Sequence, residues 1–382
     1  RTDNELNVQT GLASTLVAFI SASGGASVGQ YGPLVHFGAV VGSFCKRVLS
    51  TNITTDVVIG CGVAAAISAG FNAPIAGVIF AHEAILRHFS LRAIAPIAIA
   101  SCVAAGVTQL IFPGGSLFEV DNFNGDLSRL LIIALLTGPI FGCVAIGLMQ
   151  SVRLTTKFSA IQKLSLSKSL LLAVAITSLG GVFVPQALGL GGGTIKSVLD
   201  GQYTFDILIS IFLMKIVLTT ACLGFGLFGG IFSPSLVIGA SAGGIVYYLL
   251  TSIGIPFEDP IALIICGMAA VSSAVIGAPI AGTMIVLELT GSYEYALLAM
   301  ICIVTSVLLS GSLYGHSFFD RQLIDRGIDI AAGRTGIELM DRSITSIYHD
   351  DYTEISLNCT VSETLEKLVE QNTTEGYVED SE

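Results

Sequence analysis

Charge is what this chain has least of. Only 12% of its 382 residues are Asp, Glu, Lys or Arg, against about 25% in a soluble domain. So few charges cannot cover a water-facing surface at this length, which excludes an ordinary soluble fold built on one core. Paired metal or redox cysteines are also missing. The eight cysteines (Cys45, Cys61, Cys102, Cys143, Cys222, Cys266, Cys302 and Cys359) include no CxxC and lie mostly in apolar stretches. They read as small buried hydrophobes rather than disulfides or ligands. His82 and His88 are six apart, which is wrong for one helical face, so no metal site is expected. There is no Ser/His/Asp set and no phosphate loop with a lysine, and an enzyme is not indicated. No initiating Met or positively charged leader stands at the start, and the chain reads as the middle of a longer protein. Net charge is −11, and acidic residues gather in 341–382, which reads as a solvated segment and gives no sign of nucleic-acid binding.

What is present is apolar. Hydrophobic residues make up 53% and mean hydropathy is +0.82. Residues 91–112, 130–150 and 295–313 are runs of membrane-spanning length, about 20 residues. Shorter runs at 57–70, 73–86, 168–184 and 277–289 are Gly-rich or interrupted by Pro. They predict tilted or half-length helices meeting inside the bilayer. The fold class expected is an all-α, multi-pass integral membrane protein in a cell or inner membrane.

The apolar part repeats itself. CGVAAAISAGFNAPIAG at 61–77 parallels CGMAAVSSAVIGAPIAG at 266–282, and Pro74/Pro279 and Glu83/Glu288 are both 205 apart. VGQYGPLVHFGA at 28–39 parallels GGIFSPSLVIGA at 229–240, with Pro33 and Pro234 201 apart. Each half therefore carries a Gly-rich turn with Pro, then an APIAG helix ending in Glu. Such halves usually bracket a central binding site. The two glutamates read more readily as structural groups bonded to nearby backbone than as pathway residues.

In Gly29-Gln30-Tyr31-Gly32-Pro33 and Gly230-Ile231-Phe232-Ser233-Pro234, the proline suits the first turn of a helix. The glycines allow a tight turn with bare amides. Two such N-termini aimed at one midplane point would hold an anion on N–H groups and dipoles alone. No Lys or Arg is in either loop. A full charge in low dielectric would bind too tightly for turnover. Lys215, in LMKIVLTT, either adds positive potential to an anion path or snorkels to the interface.

At these residues the sequence resembles the CLC family of chloride channels and chloride/proton antiporters, over about residues 5–330. The family's Gly-Lys/Arg-Glu-Gly-Pro stands here as Gly29–Pro33, its Gly-x-Phe-x-Pro as Gly230–Pro234, and the FNAPIAG and GAPIAG helices each end in Glu. The resemblance implies an inverted-repeat helical bundle with many tilted and broken helices, working as a homodimer with one anion path per subunit. It implies chloride held by amides of Gly29, Gln30, Tyr31 and Gly32 and of Gly230, Ile231 and Phe232. It also implies a further contact from a serine in a Gly-Ser-Gly-Ile-Pro loop, which this chain lacks, so the family's leading helices are expected to be missing.

The departures fall on chemically active positions. The family's gating glutamate is Tyr31, its inner proton-accepting glutamate is Ala84, after Glu83, and its chloride-binding tyrosine is Phe319. Tyr314 is five residues off. Coupling needs groups that pick up and release protons. His82 and Glu83 could in principle substitute, although neighbours on a helix point about 100° apart. Passive transport of chloride and similar anions is therefore the leading expectation. Chloride/proton exchange, or a non-conducting paralogue, is the alternative. Bound chloride and membrane lipid are the expected partners, with no cofactor.

After about residue 336 the chain resembles the opening of a CBS domain: a strand, a helix with Ser362 as its N-cap, and a strand near Tyr377. The expected domains are 1–333, the anion-conducting part, and 334–382, a linker and incomplete CBS domain. A complete CBS domain would add adenine nucleotide as a partner.

Overall fold

The computed structural model describes residues 8–49, 53–113, 120, 123–255, 259–325, 327, 353–356, 358–370 and 376–379. Its helices are α1 (Val8–Ser23), α2 (Tyr31–Leu49), α3 (Thr55–Phe71), α4 (Pro74–Phe80), α5 (Leu91–Ile111), α6 (Leu127–Ile161), α7 (Leu166–Phe183), α8 (Gly192–Leu199), α9 (Phe205–Gly224), α10 (Phe232–Ser252), α11 (Pro260–Ile276), α12 (Pro279–Thr290), α13 (Tyr293–Leu313) and α14 (Phe318–Asp325). A π-helical turn, Ala81–Leu86, continues α4. Residues Glu5–Gln322 form one compact unit.

Among the described residues, six helical stretches are long and apolar enough to cross a membrane. Three contain the runs of spanning length read from the sequence. A fourth, α7, covers most of the shorter run at 168–184, whereas α9 and α10 do not stand out as spans in the sequence. Both carry residues that break an apolar run: Lys215 in α9 and a Gly/Ser-rich first half in α10. Outward-facing side chains such as Leu91 (88% exposed), Leu110 (84%) and Val182 (78%) suit hydrocarbon rather than water.

The repeat is visible in the backbone. α3 ends at Asn72 and α11 at Gly277, both left-handed (φ 54° and 81°), and Pro74 and Pro279 then open the next helix. A left-handed residue stops the first helix, and the proline starts the second at little cost. Within each half, the two long helices touch through glycines. A Cβ on Gly38 would lie 2.3 Å from the Gly62 carbonyl oxygen, and one on Gly239 2.3 Å from that of Gly267. Only residues without side chains let these axes approach so closely.

Glu83 and Glu288 show how the halves are related. The Glu83 carboxylate accepts from the Ile280 and Ala281 amides at 3.0 and 2.7 Å, at the start of α12. The Glu288 carboxylate accepts from the Ile75 and Ala76 amides at 2.9 and 2.7 Å, at the start of α4. Each glutamate near a helix C-terminus caps the N-terminus of the other half's helix. The α4 and α12 helices therefore run antiparallel, and the halves are inverted. These carboxylates are structural, as their positions at the helix ends led one to expect.

The core draws on both halves and is densest in the second. Every residue of α11 from Ala262 to Ile276 is buried, as is α10 from Phe232 to Gly244.

The second unit contains a strand, helix and strand: β1 (Thr353–Ser356), α15 (Val361–Glu370) and β2 (Gly376–Glu379). The strands pair in parallel, Thr353 opposite Gly376. The helix cap is Thr360, not Ser362. The Glu363 amide donates to Thr360 Oγ1 at 3.4 Å, and the Thr360 amide donates back to Glu363 Oε2 at 2.8 Å. Thr-x-x-Glu is a capping box, and it outcompetes a lone serine two residues on because it satisfies two donors at once. The boundary expected at 333/334 lies outside the described residues.

Candidate functional site

The glycine-rich turns after α1 and before α10 meet. Gly29 and Gly230 exchange two backbone hydrogen bonds, 2.6 and 2.7 Å long, as an isolated antiparallel bridge. Helices α2 and α10 start directly beyond it, at Tyr31 and Phe232. Their first i→i−4 bonds are donated by Leu34 and Ser235. Pro33 and Pro234 have no N–H to donate. The amides of Tyr31, Gly32, Phe232 and Ser233 thus precede the helical ladder and have no acceptor within it. Two helix N-termini with bare donors are brought to one place.

Glycine is required at this crossing. A Cβ on Gly230 would lie 2.9 Å from the Gly32 nitrogen and 3.2 Å from the Gly29 oxygen, and one on Gly32 3.1 Å from the Gly230 Cα. Outside the crossing opens a vestibule of about 470 Å³, lined by Gly32, Pro33, His36, Gly230, Ile231 and Phe319, among others. None of its lining residues is Lys, Arg, Asp or Glu. Amides and helix dipoles there favour anions without a formal positive charge.

Of the residues singled out from the sequence, Gly32, Gly230, Ile231 and Phe319 share this vestibule. Gly29 forms the bridge behind them. Tyr31 and Phe232 do not line the vestibule. The Tyr31 ring stacks on Phe71 (centroids 3.9 Å apart, planes 10° apart) and meets Phe232 edge-on at 5.4 Å. This aromatic cluster sits where the two helices begin. Gln30 supplies the carbonyl that accepts from Leu34.

Inverted halves and paired, uncharged helix N-termini are now joined by direct likeness. Residues 1–311 match the voltage-gated chloride channel family. The chain belongs to that family, the CLC proteins. It is 30% identical over 314 residues to the H(+)/Cl(−) exchange transporter ClcA of Vibrio parahaemolyticus serotype O3:K6, covering 78% of this chain and 66%, just under two thirds, of that relative's length. It is 27% identical to the voltage-gated ClC-type chloride channel ClcB of Citrobacter koseri, over 81% of this chain and 75% of the relative. Its fold matches that of a slow cyanobacterial Cl−/H+ antiporter with a TM-score of 0.75 at 22% identity, over 84% of this chain and 77% of the other. This is a multi-pass membrane protein of the CLC family, and its family function is anion transport.

Within the CLC frame, Lys215 corrects one expectation. It does not snorkel: it is 0% exposed, and its ammonium donates to the Ala187 and Gly189 carbonyls at 3.0 and 2.8 Å. Carbonyl dipoles hold it inside the membrane unit. The Gly189 amide in turn donates to Gly25 at 3.0 Å, and Ser27 pairs with Thr219 at 3.0 Å. Helix α9 thereby anchors the turn that leads to Gly29. The sequence showed an isolated lysine and no sign of these carbonyl partners, because they come from a loop more than 25 residues away.

The proton-handling substitutes are also constrained. The Glu83 carboxylate is committed to α12, as described. Neighbouring His82 is 1% exposed, bonds the Val78 carbonyl through Nδ1 at 2.9 Å and stacks on Phe89 at 5.5 Å.

Replacing Tyr31 by Ala removes the ring from the cluster at the start of α2, and chloride efflux from vesicles is expected to rise several-fold. Tyr31→Glu places a carboxylate, with an unperturbed pKa near ~4.3, beside the bare amides. Ionised, it competes with chloride for them; protonated, it does not. Efflux of Tyr31→Glu should therefore climb as pH falls. A flat profile for Tyr31→Glu, or unchanged efflux for Tyr31→Ala, would place Tyr31 off the path.

Proposed function

We propose that the chain moves chloride past the crossing of α2 and α10, and that it does so in exchange for protons. The anion half rests on one observation: two helix N-termini with bare amides meet at the Gly29–Gly230 bridge, and among the described residues no charged side chain lines the vestibule beside them. The site comprises Gly29, Gln30, Tyr31, Gly32, Gly230, Ile231, Phe232 and, on the vestibule wall, Phe319. Tyr31 acts as its gate.

The proton half is supported by the relatives. Two relatives at 29–30% identity are named as H(+)/Cl(−) exchange transporters, and an antiporter shares the fold. This outweighs the passive reading drawn from the sequence alone. Passive conduction remains a second reading with observations in its favour. Ala84 carries no proton, Tyr31 is a phenol and the Glu83 carboxylate is occupied as a helix cap.

The chain further works as a homodimer with one path per subunit. Its β1–α15–β2 unit supports the reading of the tail as the start of a CBS domain, which when complete would take adenine nucleotide.

The deciding measurement is external pH in liposomes carrying the protein, under a chloride gradient with the membrane potential clamped. Exchange is expected to drive protons opposite to chloride in a fixed ratio. Chloride flux without proton movement would establish passive conduction. No flux of either ion would identify a non-conducting paralogue.

A further inference from the structure

The second helix N-terminus carries a serine where the first has a glycine, directly before the proline. Gly32 and Ser233 are 201 apart and occupy equivalent places before Pro33 and Pro234. Gly32 offers an amide only. Ser233 offers an amide and a hydroxyl, in a residue 4% exposed. Among the described residues that hydroxyl has no hydrogen-bond partner.

Its isolation has a local cause. Serines deeper in these helices bond back to the preceding turn: Ser235 to the Phe232 carbonyl at 2.6 Å, Ser272 to that of Met268 at 2.7 Å. Ser233 is in the first turn, where the carbonyl four residues earlier belongs to the loop. The neighbouring Gly230 carbonyl is taken by the Gly29 amide. The hydroxyl instead faces the bridge. A Cβ on Gly29 would lie 2.9 Å from both the nitrogen and Oγ of Ser233. The nitrogen and Oγ of Ser233 thus lie on the same side, against Gly29 at the crossing, where any side chain on Gly29 would collide with both. A buried hydroxyl without an acceptor is costly. An anion held by the Ser233 amide would supply one.

We infer that Ser233 is a side-chain ligand of the transported anion: its hydroxyl donates to the ion at the α10 N-terminus and favours anions that accept strong hydrogen bonds, chloride over thiocyanate. The inference rests on the anion reading of the paired N-termini and adds to it a residue that discriminates. It also gives this chain one hydroxyl donor, in a protein whose Phe319 cannot supply one.

The test is calorimetric titration of the purified protein with chloride and with thiocyanate, for wild type, Ser233→Ala, Ser233→Thr and Gly230→Val. A hydrogen bond to a charged group corresponds to roughly 10-fold to 100-fold in affinity. Ser233→Ala should lose chloride affinity in that range and lose much less for thiocyanate, so that the preference collapses. Ser233→Thr, which keeps the hydroxyl, should retain the preference. If Ser233→Ala binds both anions like wild type while Gly230→Val binds weakly, the hydroxyl is not a ligand and the anion site stands. If neither variant changes binding, the site itself is misplaced. A preference lost equally in Ser233→Thr would assign the effect to packing and overturn the inference.

Discussion

Gly230→Val is expected to abolish most chloride transport while leaving the protein folded. The crossing at the Gly29–Gly230 bridge has no room for a side chain: even a Cβ would stand 2.9 Å from the Gly32 nitrogen and 3.2 Å from the Gly29 oxygen. Those are backbone atoms, which cannot rotate aside like the end of a side chain. Valine adds two further methyl groups that must separate the loops. The two mutual hydrogen bonds, at 2.6 and 2.7 Å, are then stretched or broken, and the two N-termini no longer converge. A loss of about 1.4 kcal/mol in anion binding is already tenfold, and misplacing two helix ends should exceed that. Chloride efflux from vesicles, with size-exclusion behaviour as the control for folding, is the measurement. Wild-type efflux in a monodisperse Gly230→Val protein would show that ions do not pass this crossing.

The largest stability effect should come from Glu83 and Glu288. Each carboxylate accepts two backbone amides at the start of the other half's helix. Hydrogen bonds to a charged group contribute about 1.5–3 kcal/mol each, and a carboxylate at a helix N-terminus gains about 0.3–1 kcal/mol more from the dipole. Truncating either residue to Ala strands two amides between the halves. We expect a loss of about 3 kcal/mol or more for each single variant, read as a lowered melting temperature in detergent. Glutamine keeps one acceptor oxygen but turns an NH2 toward the second amide, so Glu288→Gln should fall between Ala and wild type. The double variant tests whether the two caps hold one interface: groups in one network depart from the sum of the singles, whereas independent sites add. A Glu288→Ala protein melting like wild type would mean that these bonds do not hold the halves together.

Much of this is legible in the sequence. Scarce charge and apolar runs of spanning length specified a membrane protein, because lipid is the only solvent that accepts such a surface. The 205-residue offset between Pro74/Glu83 and Pro279/Glu288 specified two halves, because a repeated backbone bend needs the same stop and start residues. The paired Gly-x-x-x-Pro turns specified where bare amides would be, since proline and glycine act within their own few residues. All of these are local properties, or copies of local properties.

What the sequence could not decide depends on which distant groups meet. Glu83 was legible as a glutamate ending an apolar helix, but that it caps α12 follows only from the inversion of the halves. Lys215 could add positive potential to an anion path or snorkel to the interface; the loop carbonyls of Ala187 and Gly189 keep it from snorkelling, because two acceptors replace the water it gives up. Gly29 and Gly230 are 201 residues apart, and no periodicity states that they exchange hydrogen bonds. Ser233 was present in a motif already read as an anion turn, but its hydroxyl became informative only when burial and the occupied Gly230 carbonyl left it without a partner. Hydrogen-bond satisfaction is a property of the assembled interior, and so tertiary structure alone decides which polar groups are spoken for and which remain to bind an ion.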